Sequence, residues 1–222
     1  MIATQRHAFG SCGHCSVRVD NLDRGRRRAV SRRVRRSSIV NISDVWCLIE
    51  QARSELDQAA LDADEVAQRM AALLSQREPA EIVAFAQPLW DLLAQSYRAD
   101  LWAAAYVING GASDDGFDYF RGWLIAQGET VFHETLADPD RLADHPIVVQ
   151  AAVNGEDLRG EDILAVAWNA YLAGTGQELP SNAYAIRYPQ LDRDWDFDFD
   201  DEAEMRRRLP RLTALYYQPA EA

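Results

Sequence analysis

The chain has 222 residues and a mass of 25.0 kDa, enough for one substantial domain that buries its own core without disulfide staples. Its 35 acidic residues against 23 basic ones, a net charge of −12, argue against a simple phosphate-backbone binder, and 48% hydrophobic residues argue against disorder throughout. No apolar run reaches the roughly 18 residues of a membrane span, and no apolar stretch of a secretory signal follows the N-terminal arginines. The expected location is therefore the cytoplasm, with Cys12, Cys15 and Cys47 reduced.

The charge divides sharply along the chain. Residues 1–40 carry ten arginines against Asp20 and Asp23, a net +8, whereas residues 41–222 carry 13 arginines against 33 acids, a net −20. Arginine is the only basic residue throughout; with abundant alanine this reads as the codon bias of a GC-rich, bacterial-type genome rather than as function. The blocks Arg24-Gly25-Arg26-Arg27-Arg28 and Arg32-Arg33-Val34-Arg35-Arg36 are expected to be disordered. Three readings compete for this leader: a nucleic-acid-binding arm, a solvated tail without function, and an upstream extension of a chain that starts near Val40. The last accounts best for the well-formed helical signal after Val40. Cys12-Gly13-His14-Cys15 lacks the βαβ setting of a redox pair and the second ligand pair of a zinc site, so it reads as coincidence.

From Ser43, a candidate N-cap, the apolar stripe Trp46, Ile49, Ala52 and Leu56 marks a helix. Asp62 with Glu65 opens the next, carrying Val66, Met70, Leu73 and Leu74. Pro79 begins a third through Ile82, Phe85, Leu89, Leu92 and Leu93, which Pro88 is expected to bend or divide. A helix from Leu101 to about Asn109 stops at Gly110-Gly111. Ser113-Asp114-Asp115 caps its successor, with Phe117, Phe120, Trp123 and Leu124, and Glu129 to Leu136 forms a shorter one. Residues 137–160 read as loop with single turns. Glu161-Asp162 opens a helix through Ile163, Val166, Ala170 and Tyr171 that closes at Gly174 or Gly176. In the C-terminal segment Asp192, Asp194, Asp196, Asp198 and Asp200 alternate with Trp195, Phe197 and Phe199. If extended, this run sets rings and carboxylates on opposite faces. A last short helix through Glu202 and Met205 ends before Pro210. The expected fold is all-α: a single helical domain of about seven or eight helices over residues 41–212, with an extended acidic and aromatic C-terminal segment and a tail at 213–222.

One stretch carries a resemblance. It runs from Arg98-Ala99-Asp100-Leu101-Trp102 through Ile108-Asn109-Gly110-Gly111 to Ser113-Asp114-Asp115-Gly116-Phe117-Asp118-Tyr119-Phe120-Arg121-Gly122-Trp123-Leu124. Together with Val131-Phe132, Ala137-Asp138-Pro139-Asp140-Arg141-Leu142, the acidic run at Trp195 and Arg207-Arg208-Leu209-Pro210-Arg211-Leu212, it resembles a bacterial family known only as domain of unknown function 4240. The resemblance covers residues 41–212 and implies an α-helical fold. It brings no assigned chemistry, so no catalytic residue is carried over.

The same region holds the candidate ligand-binding residues. Trp102, Tyr106 and Asn109 fall on one helix face at i, i+4 and i+7, and Asp114, Asp118 and Arg121 share a face of the next helix. With Arg98 and Asp115 they place carboxylates and guanidinium groups beside a Gly-Gly turn. Asp114, Asp115 and Asp118 have the oxygens for Mg²⁺ or Ca²⁺, or for an acid/base pair, and Arg98 with Arg121 suits a carboxylate or phosphate clamp. The plainer alternative is structural: first-turn acids on a helix dipole, an i, i+3 ion pair, and Asp100 as a cap. The aspartate run fails as a calcium loop, because Phe199 stands where glycine is required and Met205 where glutamate is required. His133 and His145 lack a zinc-binding motif, Ser113 lacks a nucleophile elbow, and a phosphate-binding P-loop lacks its lysine. No cofactor is expected. The leading expectation is a non-enzymatic acidic module that binds a basic protein partner or a small ligand, with no nucleic acid for residues 41–222 and no membrane. A toxin-neutralising or DNA-mimicking role is one version of it. The alternative is a small hydrolase or transferase using the Asp114, Asp118 and Arg121 face, with or without Mg²⁺.

Overall fold

The computed structural model describes residues 40–56 and 62–217, which form eleven α-helices and two 3-10 turns, with no strand among the described residues. The all-α class holds, while the helix count exceeds the expected seven or eight. The Arg-rich leader and the Cys12/Cys15 pair lie outside the described residues.

The first helix, α1 (Ile42–Ser54), starts from Asn41 rather than Ser43. The Asn41 side chain accepts the Ser43 N–H at 2.8 Å, and the Asp44 carboxylate accepts the Asn41 N–H at 2.8 Å. Two of the helix's unpaired donors are thereby satisfied reciprocally. Helix α2 (Ala63–Leu74) opens as the sequence implies, with the Asp62 carboxylate accepting the N–H groups of Asp64 and Glu65. Helix α3 (Pro79–Gln95) is not divided at Pro88. The proline forfeits one helical hydrogen bond, but it is buried among core side chains that hold the helix together on both sides.

Helices α4 (Ala99–Ile108) and α5 (Asp114–Ala126) follow. From Phe120 to Ala126 every residue of α5 is buried, and α2, α3, α4, α6 (Glu129–Ala137) and α8 (Glu161–Leu164) all pack against it. It is the central helix of the core. The closest approach is made by glycine: a Cβ on Gly122 would collide with the carbonyl oxygen of Gly160, whose N–H donates to the Tyr119 carbonyl at 2.9 Å. Backbone meets backbone there because neither residue has a side chain.

The region 137–160, expected as loop, contains a 3-10 turn (Pro139–Asp144) and helix α7 (Pro146–Asn154). Pro139 and Pro146 occupy first helical turns, where the missing N–H costs nothing, and Gly155 at φ 68° ends α7. The single helix expected from Glu161 breaks at Ala165 into α8 and α9 (Val166–Thr175), and α9 stops at Gly176 as expected.

The acidic and aromatic segment is not an extended strand. It passes through a 3-10 turn (Arg193–Trp195) and further tight turns in which Asp192, Asp198 and Asp201 side chains accept backbone N–H groups. Carboxylates that cap turns compete with strand pairing, which explains the departure. The alternation survives as burial: Trp195, Phe197 and Phe199 are half-buried and the intervening aspartates exposed. Helix α10 (Glu202–Arg208) follows, and α11 (Pro210–Tyr216) has no counterpart among the expected elements. Its start is capped from a distance. Buried Asp140 accepts the N–H groups of Arg211 (3.1 Å) and Leu212 (2.9 Å), while Arg211 pairs with Asp144. Among the described residues no helix is long and apolar enough to cross a membrane.

Candidate functional site

The eight candidate residues run from the N-cap of α4, through the turn that joins it to α5, to the middle of α5. The chain reverses through Gly110 at φ 64° and Gly111 at φ 131°, backbone conformations that glycine adopts without strain. Across this turn the Trp102 indole N–H donates to the Ala112 carbonyl at 3.0 Å. Its ring stacks on Phe117, with centroids 4.7 Å apart and planes 15° from parallel. One turn along, the Tyr106 hydroxyl donates to the Asp200 carboxylate, and the ring meets Phe199 edge-on at 5.7 Å. That hydrogen bond is the main reason the Tyr106 hydroxyl is pushed up to about 12. Asn109 ends α4 and grips the backbone of Leu158, accepting its N–H at 2.9 Å and donating to its carbonyl at 3.3 Å. The three side chains share a helix face as their spacing implies. That face holds the turn, the C-terminal segment and the loop before α8.

On α5 the expected polar face is split. Asp114 and Asp115 are exposed in the first turn, next to the Ser113 hydroxyl that accepts the Gly116 N–H. Arg121 instead turns inward and is 2% exposed. Its guanidinium donates to the Leu93 carbonyl and pairs with Asp118. The same group lies 5.1 Å from the Tyr97 ring centroid and 5.0 Å from that of Phe117. The i, i+3 pair is therefore real, but it ties α5 to α3 from within the core. Arg98 is engaged separately, forking onto Asp100 at 3.0 and 2.6 Å at the surface. Asp100 also accepts the Leu101 N–H, but Arg98 holds the N-cap position of α4 without a side-chain cap bond, so Asp100 is a first-turn acid rather than the cap expected of it. Among the described residues no three His, Cys, Asp or Glu side chains converge to hold a metal ion, so Asp114, Asp115 and Asp118 do not make an oxygen cage.

A cleft of about 460 Å³ opens beside this region, lined by Tyr97 and Ala99 on one side and by the segment from Tyr188 to Phe199 on the other. The neighbouring hollow, lined by Arg98 and Asp100, shares the stretch from Pro189 to Asp192. Tyr97 and Tyr188 are 91 positions apart, and Tyr188 lies in irregular chain, so no spacing in the sequence points to their meeting. A smaller hollow gathers Glu134, Arg141, Asp144 and His145. His145 packs edge-on against Trp123 at 5.9 Å, and burial, aided by the positive charge of Arg53, holds its pKa below the usual histidine range.

A family model described as "Protein of unknown function (DUF4240)" matches residues 41–173. The chain belongs to this family. The DUF4240 match spans α1 through most of α9, including the α4–α5 turn and the central helix, and it begins at the residue that caps α1. The acidic and aromatic segment, α10 and α11 lie beyond the matched residues. No curated protein and no solved structure matches the chain.

Proposed function

We propose that this member of the DUF4240 family is a non-enzymatic binding module, whose acidic surface recruits a basic protein partner or a small cationic ligand. The observation that carries the reading is charge: residues 41–222 hold 33 acids against 13 arginines. Several of those arginines are already engaged by neighbouring acids, among them Arg69 with Glu55, Arg98 with Asp100, and Arg207 and Arg208 with Glu204. The Asp192, Asp194, Asp196, Asp198 and Asp200 side chains are exposed and concentrated within nine residues. Such a surface raises the local concentration of cations and speeds their encounter with the protein.

The inward turn of Arg121 favours this reading over a hydrolase or transferase built on Asp114, Asp118 and Arg121, because the guanidinium is committed to Leu93 and Asp118. Titration of the chain with a decaarginine peptide tests the proposal. Binding that weakens steadily as salt rises supports it, and absence of binding at low salt overturns it.

A further inference from the structure

Tyr97, just past the end of α3, and Tyr188, in the chain after α9, bring their ring centroids within 4.9 Å at an interplanar angle of 57°. They form an aromatic corner of the cleft of about 460 Å³, and Trp195 and Phe199 add two more rings to its lining. The exposed carboxylates of Asp192 and Asp196 complete it. The volume lies in the lower part of the range of small-molecule sites and leaves ample room for one long side chain. Aromatic walls with carboxylates beside them suit a flat organic cation. The negative ring faces attract its charge, while its edge donates paired hydrogen bonds to an acid. Two of these rings already carry a guanidinium of the chain itself: Arg208 lies 4.8 Å from the Trp195 centroid and Arg121 5.1 Å from that of Tyr97, which leaves the exposed Tyr188 ring as the main stacking surface for an incoming cation.

We propose that this cleft binds the guanidinium of an arginine side chain on a basic partner. The proposal rests on the acidic-module reading and deepens it, converting a diffuse attraction into a seat for one residue. Guanidinium is preferred to ammonium because it is planar, weakly hydrated and forked, and so stacks and pairs at once. Arg193, which also lines the cleft, is a like charge that the incoming cation must displace or avoid.

Calorimetric titration of the full chain with N-acetyl-arginine amide, and with the neutral isostere N-acetyl-citrulline amide, tests the assignment. The arginine derivative is expected to bind at least about tenfold more tightly than the citrulline one. Tyr188→Ala should weaken arginine binding by about tenfold while lowering Tm by only a few degrees, because the residue is 57% exposed and its main ring contact is the one with Tyr97. Arg193→Ala should tighten arginine binding, since it removes a repulsion. Equal affinity for the two amides, unchanged affinity in Tyr188→Ala, or weaker binding in Arg193→Ala overturns the proposal. Decaarginine separates the two levels. If it binds native chain and Tyr188→Ala equally, the cleft assignment fails while the acidic module stands. If it binds neither, both fail.

Discussion

Arg121 is the residue on which the candidate site turns, and its environment decides what substituting it does. The guanidinium is buried between Tyr97 and Phe117 and bonded to Leu93 and Asp118. Arg121→Ala removes these contacts and leaves the Asp118 carboxylate without its partner in a half-buried position, a change that costs about 3–5 kcal/mol. Thermal or chemical unfolding measures it, and a loss below about 1 kcal/mol would show that the pair contributes little to stability despite its burial. His145 gives a pH signature. Its folded pKa lies below the unfolded value, so its contribution is complete above about pH 6.5 and declines as pH falls through the folded pKa. Between pH 7 and 5, Tm of the native chain should therefore fall more steeply than that of His145→Gln. The i, i+3 spacing of Asp118 and Arg121 is visible in the sequence, and the ion pair it implies exists. The direction in which Arg121 points is not visible there, because its two ring partners come from the chain just past the end of α3 and from its own helix stripe, and only packing decides that they close over a cation.

At the scale of elements, the fold depends on one central helix and on small residues that let others reach it. Gly122 on α5 faces the backbone of Gly160, so Gly122→Ala must push α5 from the chain leading into α8 and is expected to destabilise by about 3 kcal/mol. Equilibrium unfolding in urea reads this directly, and an unchanged midpoint would mean that the crossing relaxes freely. The C-terminal segment is fastened differently. Tyr106 bonds to Asp200, Phe199 sits on the Tyr106 ring, and Arg208 covers Trp195 and Phe197. Tyr106→Phe removes the hydroxyl and keeps the ring. It should speed proteolytic cleavage within residues 188–201 while lowering Tm by only a few degrees, as a lost hydrogen bond worth about 1 kcal/mol implies. The long amphipathic helices α2 and α5 are readable from their stripes because one face is buried and their caps are ordinary. Helices α7 and α11 escape such a reading. Each is short, begins at a proline that also signals a loop, and gains its stability from distant partners such as Asp140 at the start of α11. The alternation at 192–200 misleads for a related reason. A period of two suggests a strand, yet aspartates that cap turns yield the same alternation of buried rings and exposed acids.

For the molecule as a whole, charge is the property that the sequence states most plainly and that the structure distributes. The net −12 is the sum of a basic leader at +8 and a domain region at −20, and the densest acidic run contributes Asp192 and Asp196 to the lining of the aromatic cleft. If this surface recruits a basic partner, the five aspartates at 192, 194, 196, 198 and 200 should contribute out of proportion to their number. Replacing all five with asparagine keeps side chains that can still cap the turns and removes five negative charges. The decisive measurement is decaarginine affinity of the native chain and of this fivefold variant at low and moderate salt. The account predicts tight, salt-sensitive binding by the native chain, and much weaker binding with a shallower salt dependence in the variant, at unchanged helix content. Equal affinity and equal salt dependence in the two proteins would contradict it.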